Sequence, residues 1–460
     1  MKQILLFFAL VITFTANSQN IKMRIHKNDG TTQDYPINTV DSVTYVTDAP
    51  PPPPPTQSIA QIVSENPDFS LLKTAVIRAG LVSALSTGNL TVFAPDNAAF
   101  AASGIDEALI NSLSVSALDS ILKYHVIGSV IPSSGVPTSV TAVGTLSNIN
   151  LYAVRSGDNV TVNNISVKAA DINATNGVIH VISKVLMPAT ITDIVVLDPN
   201  FSILKAAVVR AGLANAVATG SLTVFAPDNT AFAASGIDEA AINSLPIEDL
   251  TNILLYHVVG AKVPSSAVPA SDTVNTLLTT NLYASKNVNG VFMNGIAVKA
   301  ADVQAANGVI HVVSEVLIPP TKTIAELVAA DPELSLLLAA VVKAGLAGAV
   351  SGPGKFTAFA PTNAAFLAAG LNETVIQFAP ADQVSSVALA HLFGTNVFAS
   401  DLIQGAQAPT LRAGISLVVG LTPPSVKIVG STNPASNIIL TGVDIIATNG
   451  VIHKIDRVLQ

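Results

Sequence analysis

Six of the seven histidines in this chain recur at two positions of an internal repeat: His125, His257 and His391, then His180, His311 and His453. Each pair lies downstream of a carboxylate, Asp96 in the first copy and Asp228 in the second. Two imidazoles and a carboxylate are a sufficient set to ligate zinc and leave a fourth position for water. An imidazole near its ordinary pKa also moves protons at neutral pH. The neighbours argue the other way. His125 shares an apolar helix face with Leu118 and Leu122, and His180 lies in an almost wholly apolar stretch between Val178 and Ile182. Histidines in such settings are buried and bonded to backbone, and three active sites in one chain would be unusual. The sequence therefore assigns the repeat histidines, His180, His311 and His453 among them, to the scaffold, and implies no metal, no cofactor and no catalytic residue.

Other chemistry is excluded by composition and motif. The absence of cysteine removes disulfides, thiolate zinc sites, a cysteine nucleophile and a lipidated cysteine. Neither Gly-x-Ser-x-Gly nor His-Glu-x-x-His occurs. A formal charge of -8 argues against nucleic acid and against anionic membrane surfaces as partners.

The elements around the histidines follow from spacing. "VFAPDNAAF" (Val92 to Phe100) returns as "VFAPDNTAF" and "AFAPTNAAF". It reads as a strand-to-helix corner: Pro95 ends the strand, Asp96 or Asn97 caps the helix, and Phe93 anchors the core. Phe225, Pro227 and Asp228 repeat this in the second copy. In the third, Pro361 stays and Thr362 still offers a capping oxygen. The corner lacks the glycines and lysine of a phosphate loop. Phe69, Leu72, Val76 and Ala79 mark one amphipathic helix, and Leu118, Ile121, Leu122 and His125 another. From Val140 onward the period changes to two. Helices first and strands second describe an α+β domain with an antiparallel-rich sheet.

Self-alignment gives three copies, at 56–188, 189–320 and a divergent 321–460. Residues 1–18 read as a signal peptide, with Lys2, an apolar Ile4 to Phe14 and small residues before a cut near Gln19. Residues 21–47 read as a small β-hairpin or meander, and 48–55 as a proline-rich linker. The expectation is an exported protein without lipid anchor or membrane span. The apolar "LLLAAVVKAGLAGAV" near Leu336 carries Lys343 and reads as a core helix.

"TVFAPDNAAF", a helix ending in Tyr124-His125, and a closing "NGVIHVISKVLMP" together resemble the fasciclin family, over about nine-tenths of the chain in three tandem FAS1-like domains. The resemblance implies N-terminal helices packed on a β wedge. It also implies a secreted or surface-associated role in adhesion or matrix interaction, with an extracellular or cell-surface protein or polysaccharide as partner. The family's proposed adhesive element maps to Tyr124-His125 and Tyr256-His257. Asp171-Ile172 stands where some animal members carry another adhesive motif. The third copy departs, with Ala390 in the tyrosine position and Thr362 for aspartate. No Arg-Gly-Asp is present, so integrin binding does not carry over. Two alternatives stand beside this reading: a secreted metal-dependent hydrolase using the repeat histidines, and a glycan-binding module, disfavoured by the absence of tryptophan.

Overall fold

A computed structural model describes residues 22–26, 30–36, 54–421, 424–429, 431 and 433–459. The signal peptide expected at 1–18, and most of the linker at 48–55, lie outside the described residues. The chain divides after Pro54. In the N-terminal unit Lys22–His26 pairs antiparallel with Thr32–Pro36, and Arg24 holds Asp34 through two hydrogen bonds.

The first two repeats share one plan. In the first, helices Ile59–Glu65 and Ser70–Arg78 precede strand Leu90–Pro95. Helices Asn97–Ala102, Glu107–Ser112 and Val115–Tyr124 follow it. Every long helix starts on a side-chain cap where the sequence supplies one. Ser58 forms a capping box with Gln61, and Ser114 accepts the Ala117 N–H. Six further strands complete a seven-stranded sheet, in the order Val126–Ile127, Leu90–Pro95, Gly177–Ile182, Ile165–Ala174, Asn159–Val162, Asn150–Ser156, Thr141–Gly144. All neighbours are antiparallel except Leu90–Pro95 beside Gly177–Ile182, which run parallel and set Phe93 opposite His180. The second repeat reproduces this order, with Phe225 opposite His311.

The parallel pair explains the glycine of "NGVIH". At Gly177 φ is 150°, and a Cβ there would lie 1.9 Å from the Leu90 carbonyl oxygen. Gly308 and Gly450 meet the same obstruction from Leu222 and Phe356. Only glycine lets the two backbones approach so closely.

The third repeat keeps the corner and the parallel pair, Phe356–Pro361 beside Gly450–Ile455. Among the described residues its strands fall into two four-stranded sheets instead of one of seven. The strand before the closing one shortens from ten residues, Ile165–Ala174, to three, Ile445–Ala447.

Neighbouring repeats share apolar surface. Leu151, Val162 and Leu186 of the first belong to one buried cluster with Ile191, Ile194 and Phe201 of the second. Between the second and third, Tyr283 stacks on Phe398 at 5.2 Å, and Asn287 donates to the Ser400 carbonyl at 2.8 Å. No described helix is long and apolar enough to cross a membrane.

Candidate functional site

Tyr124 closes the helix Val115–Tyr124, and His125 is its C-terminal cap residue. Both are inside the protein, 0% and 2% exposed. The Tyr124 hydroxyl donates to the Asn150 carbonyl at 3.0 Å and accepts from Asn163 Nδ2 at 2.7 Å. Asn163 sits in the left-handed region, φ 48°, and its Oδ1 takes the Tyr152 N–H at 2.8 Å. Asparagine tolerates that backbone better than other side chains do. One tyrosine hydroxyl thus joins a helix end to a strand and to the turn between two others. Tyr256, Asn281, Asn294 and Tyr283 repeat the arrangement. Burial pushes both tyrosines up to about 12.

His125 uses both ring nitrogens on backbone. Nδ1 lies 2.8 Å from the Ile121 carbonyl, and Nε2 accepts the Leu186 N–H at 2.9 Å. A carbonyl needs a donor and an N–H needs an acceptor, so the ring is neutral with its proton on Nδ1. His257 does the same with Ile253 and Leu317, and His391 with Val387 and Leu459. Burial lowers all three to about 4.

The second set has the opposite tautomer. His180 Nε2 lies 2.9 Å from the Ile131 carbonyl, while Nδ1 accepts the Asp171 N–H at 3.3 Å. His311 joins Val263 and Asp302, and His453 joins Val397 and Asp444, in the same sense. Each of these rings lies against the corner phenylalanine, Phe93, Phe225 or Phe359, at centroid distances of 5.3 to 5.5 Å.

Chemistry needs a lone pair or proton that faces something reactive, and none of these imidazoles has one to spare. Asp96 accepts the Ala99 N–H at 2.8 Å as a helix cap and pairs with Lys168, so its carboxylate serves the corner. Asp228 likewise caps Ala231 and pairs with Lys299, and Thr362 caps Ala365 in the third repeat. Asn97, the alternative cap, turns to the preceding helix instead, accepting from Leu71 N and donating to the Pro67 carbonyl. Pro95, Pro227 and Pro361 end their strands, as the corner requires. Among the described residues, no three or more His, Asp or Glu side chains gather where they would hold a metal ion.

Ser133, Asp171 and His180 do come together, but not as a nucleophile with its base. The Asp171 carboxylate accepts from the Ser133 N–H at 2.8 Å and from its hydroxyl. His180 meets only the Asp171 backbone, and its far nitrogen is spent on Ile131. Desolvation would raise the Asp171 carboxyl, but the Ser133 hydrogen bonds outweigh it and hold the group below its ordinary value. In the third repeat Ala399 replaces the serine, and only its N–H binds Asp444.

Of the residues expected to make adhesive contacts, the folded structure therefore withdraws Tyr124, His125, Tyr256 and His257 from the surface. A tyrosine near the end of an apolar helix is a large apolar group with a polar tip, and here the interior supplies partners for that tip. Asp171 is exposed in a β-bulge with φ 59°, and Ile172 is half-buried beside it. Asp302 holds the same bulge in the second repeat, φ 61°.

Sequence reasoning missed the asparagines. Asn176 is buried, accepts the Ile59 N–H at 2.8 Å and donates to the Leu85 carbonyl at 3.0 Å. Asn307 and Asn449 make the equivalent clamps. The signal was on the page, since asparagine precedes glycine in all three "NGVIH" copies.

A model of the Fasciclin domain matches the chain three times, at residues 67–188, 199–319 and 332–460. Transforming growth factor-beta-induced protein ig-h3 of Sus scrofa is 28% identical over 414 residues, covering 88% of this chain and 58% of that protein. Periostin of Homo sapiens is 28% identical over 414 residues, covering 87% of this chain and 47% of its own length. Protein sll1483 of Synechocystis sp. is 38% identical over 134 residues, 28% of this chain and 74% of that protein. The chain thus spans about half the length of the first two relatives.

Proposed function

The chain belongs to the fasciclin-domain family, and from that premise we propose that it is an adhesion or matrix-interaction protein without enzymatic activity, working outside the cell or at its surface. The observation that carries this reading is the commitment of the repeat histidines. Twelve ring nitrogens, two on each of six histidines, are bound to backbone groups. Residues that look chemical in sequence hold the fold, which leaves recognition to exposed features that recur. The bulges at Asp171, which is exposed, and at Asp302, which is half-buried, are the candidates, each ordered by a serine and each with its aspartate in the left-handed region. Two like modules in one chain favour attachment to a repetitive surface, because the second contact forms at high effective concentration. The partner class proposed is an extracellular or cell-surface protein or polysaccharide.

The test is retention of the intact chain on immobilised cell-envelope and matrix fractions, in parallel with assays for hydrolysis of esters, peptides and glycosides. Saturable retention without turnover supports the reading. Turnover lost on replacing His125 or His180 would support the hydrolase instead.

A further inference from the structure

The helical layer of the third repeat is built from smaller residues than its counterparts. Counting back from the histidine that ends the helix, the first repeat has Leu118, Ile121, Leu122 and Tyr124 before His125. The second has Leu250, Ile253, Leu254 and Tyr256. The third has Val384, Val387, Ala388 and Ala390. Every one of the four is trimmed. In the first repeat Leu118 and Leu122 are buried in one cluster with Leu72, Phe100 and Ile110. The third repeat keeps the other side of that cluster, Leu337, Phe366 and Ile376, but not the leucines that met it.

A cavity of about 140 Å³ stands in the gap, among the helices Ser335–Lys343, Asn363–Ala368, Glu373–Phe378 and Ala381–Ala390. Leu337, Phe366, Ile376, Val384, Val387 and Ala388 line it. His391 also borders it, with both nitrogens already committed, and Gln383 contributes an exposed amide.

Two further differences open this layer. Arg78 in the first repeat donates to the Leu113 carbonyl at 2.6 Å, and Arg210 in the second donates to Ile242 and Leu245. These bonds tie helices Ser70–Arg78 and Ser202–Arg210 to helices Glu107–Ser112 and Glu239–Ser244 or the turns that follow them. Lys343 stands in that place in the third repeat, and among the described residues it forms no such bond. The same layer also gains exposed apolar groups. Phe378, 80% exposed, replaces Ser112 and Ser244, and Leu367, 59% exposed, replaces Ala101 and Ala233. An unfilled cavity of this size destabilises a core, and exposed apolar side chains give no stability of their own. A bound apolar molecule compensates the cavity.

We propose that the third repeat binds a small uncharged apolar molecule, of single-ring or short-alkyl size, between these four helices. The size matches a known case: a cavity of about 150 Å³ lined by Leu, Ile and Phe stays dry and takes up benzene. The lining offers no charge and no uncommitted buried donor, so an ion or a sugar would lose its hydration without return. This site is separate from the proposed adhesive bulges and stands or falls independently of them.

Benzene added to the intact chain, with methyl-labelled leucine, valine and alanine, tests the site by NMR. Saturable ring-current shifts should appear at Leu337, Val384, Val387 and Ala388. Ala388→Leu restores the side chain of Leu122 and Leu254, and should abolish those shifts while raising the melting temperature of the unliganded protein. Val384→Leu, a milder filling, should weaken binding in the same direction and covers the case in which Ala388→Leu folds poorly. Absent shifts in the unmodified chain, or equal shifts in both filled variants, would overturn the proposal.

Discussion

His180 and Asp171 are joined through backbone and not through the carboxylate: Nδ1 of the histidine accepts the Asp171 N–H at 3.3 Å, and the carboxylate turns away to Ser133. The distinction decides between two roles. A carboxylate on the imidazole would orient and charge it for catalysis, whereas an amide N–H fixes a neutral ring against a β-bulge. Asp302 with His311 repeats the amide contact, and so does Asp444 with His453, where the carboxylate also comes to 3.6 Å from Nδ1.

His180→Ala or His311→Ala should destabilise its repeat by about 1–3 kcal/mol, because the buried ring leaves a hole and a carbonyl and an N–H lose their partners together. Denaturant unfolding of the intact chain checks this, with the transition of the substituted repeat moving to lower denaturant. An unchanged transition would show that the ring is dispensable.

Acid should weaken the fold before the carboxylates titrate. His125, His257 and His391 are lowered to about 4 by burial, so the unfolded chain binds more protons than the folded one between there and the ordinary value near 6.5. The stabilisation is complete above that window and is lost as pH falls through it, by up to about 3 kcal/mol per histidine. Below it, Asp171, Asp228 and Asp302, all held under their ordinary values, continue the loss. Stability measured against pH should fall from about pH 6.5 downward. A flat profile to about pH 4.5 would contradict the assignment of buried neutral rings.

Tyr124→Phe keeps the ring and removes the hydroxyl that serves Asn150 and Asn163, and should cost about 1–2 kcal/mol. Retention on the partner surface should be unaffected in the folded variant, because the side chain is fully buried. Loss of retention with the melting profile preserved would return the Tyr-His segment to the list of contacts.

The corner, the amphipathic helices and the setting of the histidines were legible in sequence because each is a local pattern. Pro95, Asp96 and the spacing of Leu118, Leu122 and His125 carry their meaning within a few residues. Long-range pairings were not. Asn176 meets Ile59 across 117 positions, and the strand holding Phe93 finds a parallel neighbour only at the end of the repeat. Family resemblance made the Tyr-His pair a candidate contact, while Asn163, which gives the hydroxyl its place inside, sits 39 positions away. The trimmed positions Val384, Val387 and Ala388 were visible as letters, but their consequence needed the facing helices.

If the bulges carry recognition, Asp171→Ala and Asp302→Ala should each leave binding of the other module intact, and together should remove it. Loss of one contact of two costs avidity, by about 10²–10⁴ in apparent affinity on a multivalent surface. Surface plasmon resonance on the retained partner separates the single from the double variant. Full binding by the double variant would exclude the bulges.

The central claim is that the repeat histidines are neutral, backbone-bound scaffold. Nitrogen NMR of the intact chain with ¹⁵N-labelled histidine side chains, recorded at about pH 6 and about pH 5, tests it most directly. The account predicts a proton on Nδ1 in His125, His257 and His391, retained at the lower pH, and a proton on Nε2 in His180, His311 and His453. A member of the first set titrating near 6.5, or either set showing the opposite tautomer, would contradict it.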